Sequence, residues 1–189
     1  MRNAPARSAA LSYAASGWAV FPAHGIHAGR CTCGRPQCAS PGKHPLTRRG
    51  LHDATTDGAV VRTWWGRWRF ANVAVATGRA SGIAVVDLDL PSAAGSFGDL
   101  VERLPSTLTA LTGGGGVDLL YACDRSLGNS TGRLPGHPGA LPGVDLRSDG
   151  GYIVAPPSSH LSSQRYSWLD PGATLASLPD WISEETPRG

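Results

Sequence analysis

The chain has 189 residues, a net charge of +3 and 41% hydrophobic residues, which suits one compact domain with a core of its own. No apolar run approaches the roughly 18 residues a membrane span needs, and the N-terminus MRNAPARSAALSYAASG lacks a signal-peptide core, so a cytoplasmic protein with no membrane partner is expected. Of the 17 cations 16 are Arg and Lys43 is the one lysine, a composition compatible with phosphate ligands through the guanidinium fork without arguing for them.

Leu11, Ala14, Ala15 and Trp18 recur at helical spacing, Gly17 is placed to end that helix, and WAVFPA follows as a short strand. From Ala23 to Arg49 the periodicity gives way to a Cys, Gly and Pro rich loop containing CTCGRPQCASPGKHP. A second helix is predicted over TTDGAVVRTWWGRW, capped by Thr56 or Asp57 and presenting Val60, Trp64 and Trp68 on one face. Strands are predicted at ANVAVATG and SGIAVVDLDL, a helix at AAGSFGDLVERL, and a hairpin of LTALTGGGG with VDLLYAC. Further strands follow at VDLRSDGGYIVAPP and RYSWLD, and a closing helix at LPDWISEE. Without a steady βαβ rhythm, the fold class is α+β with a largely antiparallel sheet.

Two constellations carry chemistry. In VVDLDLP, alternation along the strand puts Asp87 and Asp89 on one face and Leu88 on the other. Neighbouring carboxylates repel unless a cation lies between them, and Mg²⁺ or Mn²⁺ is held by one or two such groups plus substrate phosphates. GVDLRSDGG adds Asp145 as a third acid and Arg147, two residues on, as a phosphate contact on the same face, while Asp149 belongs to the SDGG turn. Three acids around paired ions are what phosphoryl transfer to a nucleic-acid end requires.

Cys31, Cys33, Cys38 and His44 form C-x-C-x4-C-x5-H, with glycines and prolines to bend the chain, as a closed structural Zn²⁺ site demands. Reduced thiols clustered in a cytosolic chain point to metal before disulfides. His24 and His27 are loop residues able to substitute for one ligand, and Cys123 reads as core. Trp64, Trp65 and Trp68 read as core more than as base-stacking platforms, and Arg62, Arg67 and Arg69 as a helical face able to follow a nucleic-acid backbone.

GWAVFPAHG, GKHP, GLHDATTD, the WW helix, ANVAVATG, the strand ending in DLD, the glycine run, GVDLRSDGGYIVAPPSSH and YSW occur in an order that resembles the N-terminal domain of bifunctional DNA primase/polymerases, in the archaeo-eukaryotic primase superfamily. The resemblance covers roughly Ala9 to Trp168. It implies a single domain over 1–189, with a zinc-binding loop segment at 23–49 and a metal-binding catalytic sheet at about 82–169. Its core would be an RRM-like antiparallel sheet packed with a smaller α/β module.

The resemblance also implies an enzyme joining NTPs or dNTPs on a DNA template and primer with Mg²⁺ or Mn²⁺, and a helicase or other replication protein as partner. Asp87 and Asp89 match the acids of the first motif and Asp145 that of the third. Nucleotide contacts fall to Lys43, Gly114, Gly115, Gly116, Arg147, Ser158 and His160. One position departs: where the second motif has a triphosphate-binding histidine, TGGGGVDLLY has Asp118. The alternative is therefore a degenerate member that binds nucleic acid or nucleotide without polymerising. A metal-dependent nuclease, or a nucleotidyltransferase with another substrate, is a third reading.

Overall fold

The structure is a computed structural model, and it describes residues 4–182 apart from positions 94, 96, 97, 99 and 101. In chain order its elements are α1 (Ala4–Ala15), β1 (Val20–Ala23), β2 (Ile26–His27), β3 (Arg30–Cys31), α2 (Gly58–Arg67), β4 (Asn72–Ala76) and β5 (Ile83–Leu88). Then come α3 (Leu90–Ala93), β6 (Leu108–Leu111), β7 (Val117–Ala122), β8 (Ser130–Thr131), β9 (Val144–Arg147), β10 (Tyr152–Ala155), β11 (Ser167–Trp168) and β12 (Ala176–Ser177). The architecture is α+β with mostly antiparallel sheets and few helices. Among the described residues no helix is long and apolar enough to cross a membrane. Of the predicted helix at AAGSFGDLVERL, five of twelve positions lie outside the described residues. Of the predicted closing helix, Asp180–Ile182 forms a single 3₁₀ turn and 183–185 lie outside them.

The chain divides into two compact units, one of Met1–Ala76 with Tyr152–Ser167 and one of Thr77–Gly151 with Trp168–Gly189. In the first, β1, β4 and β10 form an antiparallel sheet in that order. Helix α1 buries the small residues Ala6, Ala10 and Ala14 at one-turn spacing, and Gly17, at φ +88°, turns the chain out of it. Asp57 is the cap of α2, its carboxylate accepting from the N–H groups of Ala59 at 2.7 Å and Val60 at 3.4 Å. The buried face of α2 is Val61 and Trp65, with Trp64 partly buried against Phe21, Ala23 and Ala74. Val60, expected on that face, is 37% exposed, because the apolar stripe is set one residue later than the sequence pattern suggests.

In the second unit β6, β7, β5, β9 and β8 pair in that order, antiparallel throughout, with β12 beside β7 in parallel. The LTAL and VDLLYA strands form the expected hairpin, Leu111 facing Val117. Alternation sends Ala84, Val86 and Leu88 of β5, Tyr121 of β7, and Val144 and Leu146 of β9 into one core with Leu100, Leu134, Leu141, Leu178 and Ile182. Cys123 is buried in this core, as its apolar surroundings suggest. The opposite face carries Asp87, Asp118, Asp145 and Arg147. The span 82–169 read as one sheet is divided, because Tyr152–Ala155 pairs with β4 of the first unit after the SDGG turn.

Gly116 fixes where the glycine run meets β5. A Cβ there would stand 2.5 Å from the Leu88 carbonyl oxygen, between the two acids of the DLD stretch, so the hairpin end can approach β5 only without a side chain. Gly116→Ala is expected to destabilise the chain by about 1–3 kcal/mol through this overlap, whereas Gly128→Ala, where nothing lies within 4 Å, leaves the unfolding midpoint nearly unchanged. Thermal denaturation of the two variants side by side checks it; equal midpoints would refute the contact.

Candidate functional site

The carboxylates are brought together by strand register. Asp87 on β5 lies opposite Asp118 on β7 and Asp145 on β9, so three acids stand in a row across three strands on one face. Asp118 is buried at 4% exposure, the other two are half-buried. Asp89, exposed just past the end of β5, is on the same side as Asp87, and Leu88 between them is buried in the core. Asp87, Asp89 and Asp145 line one pocket of about 280 Å³ with Ser92, Thr131, Gly132 and Gly143. Two carboxylates ~5 Å apart repel by on the order of 3 kcal/mol at an effective dielectric of ~20, so the row demands compensation.

Arg147 supplies part of it. Its Nη2 donates to Asp145 Oδ2 at 2.6 Å and lies 3.6 Å from Asp87 Oδ2. The second Asp145 oxygen accepts from the Gly132 N–H at 3.0 Å. Asp89 accepts from the Ser92 hydroxyl at 3.1 Å, and its own N–H donates to the Gly143 carbonyl at 2.8 Å. Arg147 was expected on this face as a phosphate contact; here it serves as the cation between two acids. Asp149 is held apart from the row, accepting from the Arg79 N–H and the Ser126 hydroxyl, contacts that keep its carboxyl below the usual range.

The expected nucleotide contacts are differently disposed. The N–H of Gly115 donates to the Thr112 carbonyl and that of Gly116 to the Thr112 hydroxyl, so the hairpin end closes on itself and two of its amides are already committed. Gly114 is exposed at the tip. Lys43, Ser158 and His160 belong to the first unit. Lys43 is exposed. His160 is half-buried and its Nδ1 pairs with the Ser162 hydroxyl at 3.0 Å. Ser158 does not face a ligand: it is buried, its hydroxyl bonded to the N–H and carbonyl of Val73, where it ties the PPSSH turn to β4. Sequence reasoning missed Ser92, Thr131, Gly132 and Gly143 as pocket walls. Only the Asp-x-x-Ser spacing from Asp89 to Ser92 offered a signal.

Cys31, Cys33, Cys38 and His44 converge in the first unit, with ligand atoms all within 4.8 Å of one another. The Nε2 of His44 is 3.5 Å from Cys31 Sγ and 3.4 Å from Cys38 Sγ. Tetrahedral zinc, with Zn–S near 2.3 Å and Zn–N near 2.0 Å, puts sulfur and nitrogen about 3.5 Å apart, so the cluster has the dimensions as well as the donors of a zinc site. Gly42 donates its N–H to Cys31 Sγ, the outer-shell bond a thiolate ligand needs. The backbone N–H of Arg35 holds the Cys33 thiol below its usual value, burial raises that of Cys38, and burial with the nearby Arg35 charge lowers His44, favouring the neutral imidazole that ligates metal. His24 is no ligand of this set: its Nδ1 bonds the Thr32 hydroxyl and its ring packs on His44, centroids 4.3 Å apart.

Compared with known families, residues 10–181 match the N-terminal region of bifunctional DNA primase/polymerases. The chain belongs to this family. Among curated proteins none matches it. A primase/polymerase domain has a function of that general type, with nucleotidyltransferase chemistry, divalent metals, and nucleic-acid and nucleotide substrates. For those metals the hard oxygen donors of Asp87, Asp89 and Asp145 fit, all opening on one pocket whose acids already attract a guanidinium. Among the described residues the Cys/His cluster alone has three or more ligand atoms within 4.8 Å of one another.

Two measurements follow. Plasma mass spectrometry of the purified chain is expected to find one zinc per molecule, falling at least tenfold in Cys33→Ser; zinc-free wild type would exclude the site. Arg147→Ala in EDTA is expected to lower the unfolding midpoint by about 2–4 °C, a loss of ~1 kcal/mol for a chain of this size. Mn²⁺ should then raise that midpoint by more than it raises wild type, and an equal rise in both would show that arginine and metal do not compete.

Proposed function

We propose that this chain is a primase/polymerase domain that joins NTPs or dNTPs on a nucleic-acid template, with Asp87, Asp89 and Asp145 as the ligands of Mg²⁺ or Mn²⁺. The observation that supports it best is the register of β5 and β9, which sets Asp87 opposite Asp145 while Asp89 opens on the same pocket. Bound there, divalent ions supply activation of the attacking hydroxyl and neutralise the leaving pyrophosphate. The sheet around β5, β7 and β9 takes the part of the RRM-like core of archaeo-eukaryotic primases, and Cys31, Cys33, Cys38 and His44 hold structural zinc.

In this reading the Arg147 guanidinium would be free to contact the triphosphate once cations hold Asp87 and Asp145, with the tip at Gly114 as a further phosphate contact. Asp145 keeps its orientation through the Gly132 N–H, and Asp89 through Ser92.

A second reading is favoured by Asp118. A buried carboxylate opposite Asp87 repels a triphosphate where the family's histidine would donate to it, which suits a degenerate domain that binds nucleic acid or nucleotide without polymerising. Primer extension with Mn²⁺ separates the two. Incorporation that falls at least about a hundredfold in Asp87→Ala and Asp89→Ala supports the polymerase, and equal activity in wild type and variants rejects the acid assignment. Inactive wild type with activity gained in Asp118→His supports the degenerate reading on an intact scaffold.

A further inference from the structure

The two units differ sharply in charge. Met1–Ala76 with Tyr152–Ser167 contains eleven Lys and Arg against two Asp, a net +9, whereas Thr77–Gly151 with Trp168–Gly189 contains six cations against twelve acids, a net −6. No acid precedes Asp53 in the chain. Three of the twelve acids of the second unit, Asp87, Asp89 and Asp145, line the pocket described above, and no residue of the first unit does. Such an excess draws a polyanion.

The same unit exposes an aromatic stack. The His27 and Phe70 rings lie with centroids 3.9 Å apart and planes 23° from parallel. His27 is exposed and Phe70 is 42% exposed, whereas Phe21 of the same unit is fully buried. Both rings sit on stiff backbone. His27 and Arg30 are opposite one another beside a two-residue turn in which Ala28 (φ +48°) and Gly29 (φ +72°) both take the left-handed conformation. Phe70 and Arg69 are the corner residues of the turn closed by the Ala71 N–H on the Trp68 carbonyl. Gly25 has no room for a Cβ against the Phe70 carbonyl, which seats the hairpin on this turn. Arg30 and Arg69 are exposed, and among the described residues no carboxylate pairs with either.

We propose that the His27–Phe70 stack, flanked by Arg30 and Arg69, is a base-stacking platform that holds a single-stranded nucleic acid. An aromatic surface in a basic setting takes up unpaired bases of any sequence while arginines follow the phosphates. Bases inside a duplex are already stacked and present no face to it. The inference deepens the polymerase reading by saying where a strand is gripped. It rests on that reading only for the strand's identity as template or primer.

The test is fluorescence anisotropy of labelled dT20 and rU20 with the full chain in low salt, the two arms telling DNA from RNA. Wild type is expected to bind single strands more tightly than a duplex of equal length. Phe70→Ala should weaken binding at least about fivefold, the lower end of one stacked base, with an unchanged unfolding midpoint, while Phe70→Trp stays within about twofold of wild type. Arg30→Ala with Arg69→Ala should reduce the slope of log affinity against log salt by roughly 0.7 per arginine. Unchanged affinity in Phe70→Ala, or wild type preferring duplex, overturns the proposal. Loss of incorporation in Asp87→Ala with Phe70→Ala still binding dT20 like wild type would sink the platform alone, and weakened binding in Phe70→Ala with incorporation unchanged in Asp87→Ala would sink the acid assignment alone.

Discussion

The second unit is organised around the repulsion between acids that strand pairing forces together. Register sets Asp118, Asp87 and Asp145 side by side, and side-chain alternation leaves no other face for them without exposing Val86, Leu88 and Leu146. The hydrophobic core thus fixes the acids, and the acids in turn require positive charge. Arg147 meets that need from the same face of β9. Core packing thus positions these carboxylates, and a side chain of the same sheet supplies their counter-charge, without a cation being needed to fold them.

In the first unit, loop structure replaces a larger core. Buried Asn72 joins three parts of it: the Asn72 amide donates to the carbonyls of Gly42 and Ser159 and accepts from the N–H and hydroxyl of Ser159. The segment carrying Cys38 and His44, strand β4 and the PPSSH turn are therefore one hydrogen-bonded assembly. Metal at the Cys/His cluster would hold the β2–β3 hairpin from its Cys31 end, one residue from Arg30. Such a metal would in this way link the folding of the Cys/His loop to the presentation of the exposed His27–Phe70 stack.

What could be read in the sequence is what depends on local period. Asp87 and Asp89 sharing a side, the hairpin around the glycine run, and the convergence of Cys31, Cys33, Cys38 and His44 follow from alternation or short spacing. What escaped depends on long-range pairing. Nothing near Tyr152–Ala155 tells the strand to leave β9 and join β4, and nothing near Ser158 tells its hydroxyl to bond Val73. The Arg147 position was legible but its partners were not, since an arginine two residues from an acid suits a phosphate and a neighbouring strand's carboxylate equally well. Val60 lies off the buried face although its spacing to Trp64 and Trp68 suits it, because three tryptophans blur which residues of a short helix form its apolar stripe.

The proposed metal binding at the acid row requires Arg147 to give way. Anomalous diffraction from crystals soaked with Mn²⁺ and a dNTP tests it directly. Manganese bound by Asp87, Asp89 and Asp145, with the Arg147 guanidinium withdrawn from Asp87, is the result the account predicts. Arg147 still bridging Asp87 and Asp145, with no manganese at these carboxylates at saturating concentration, would contradict it.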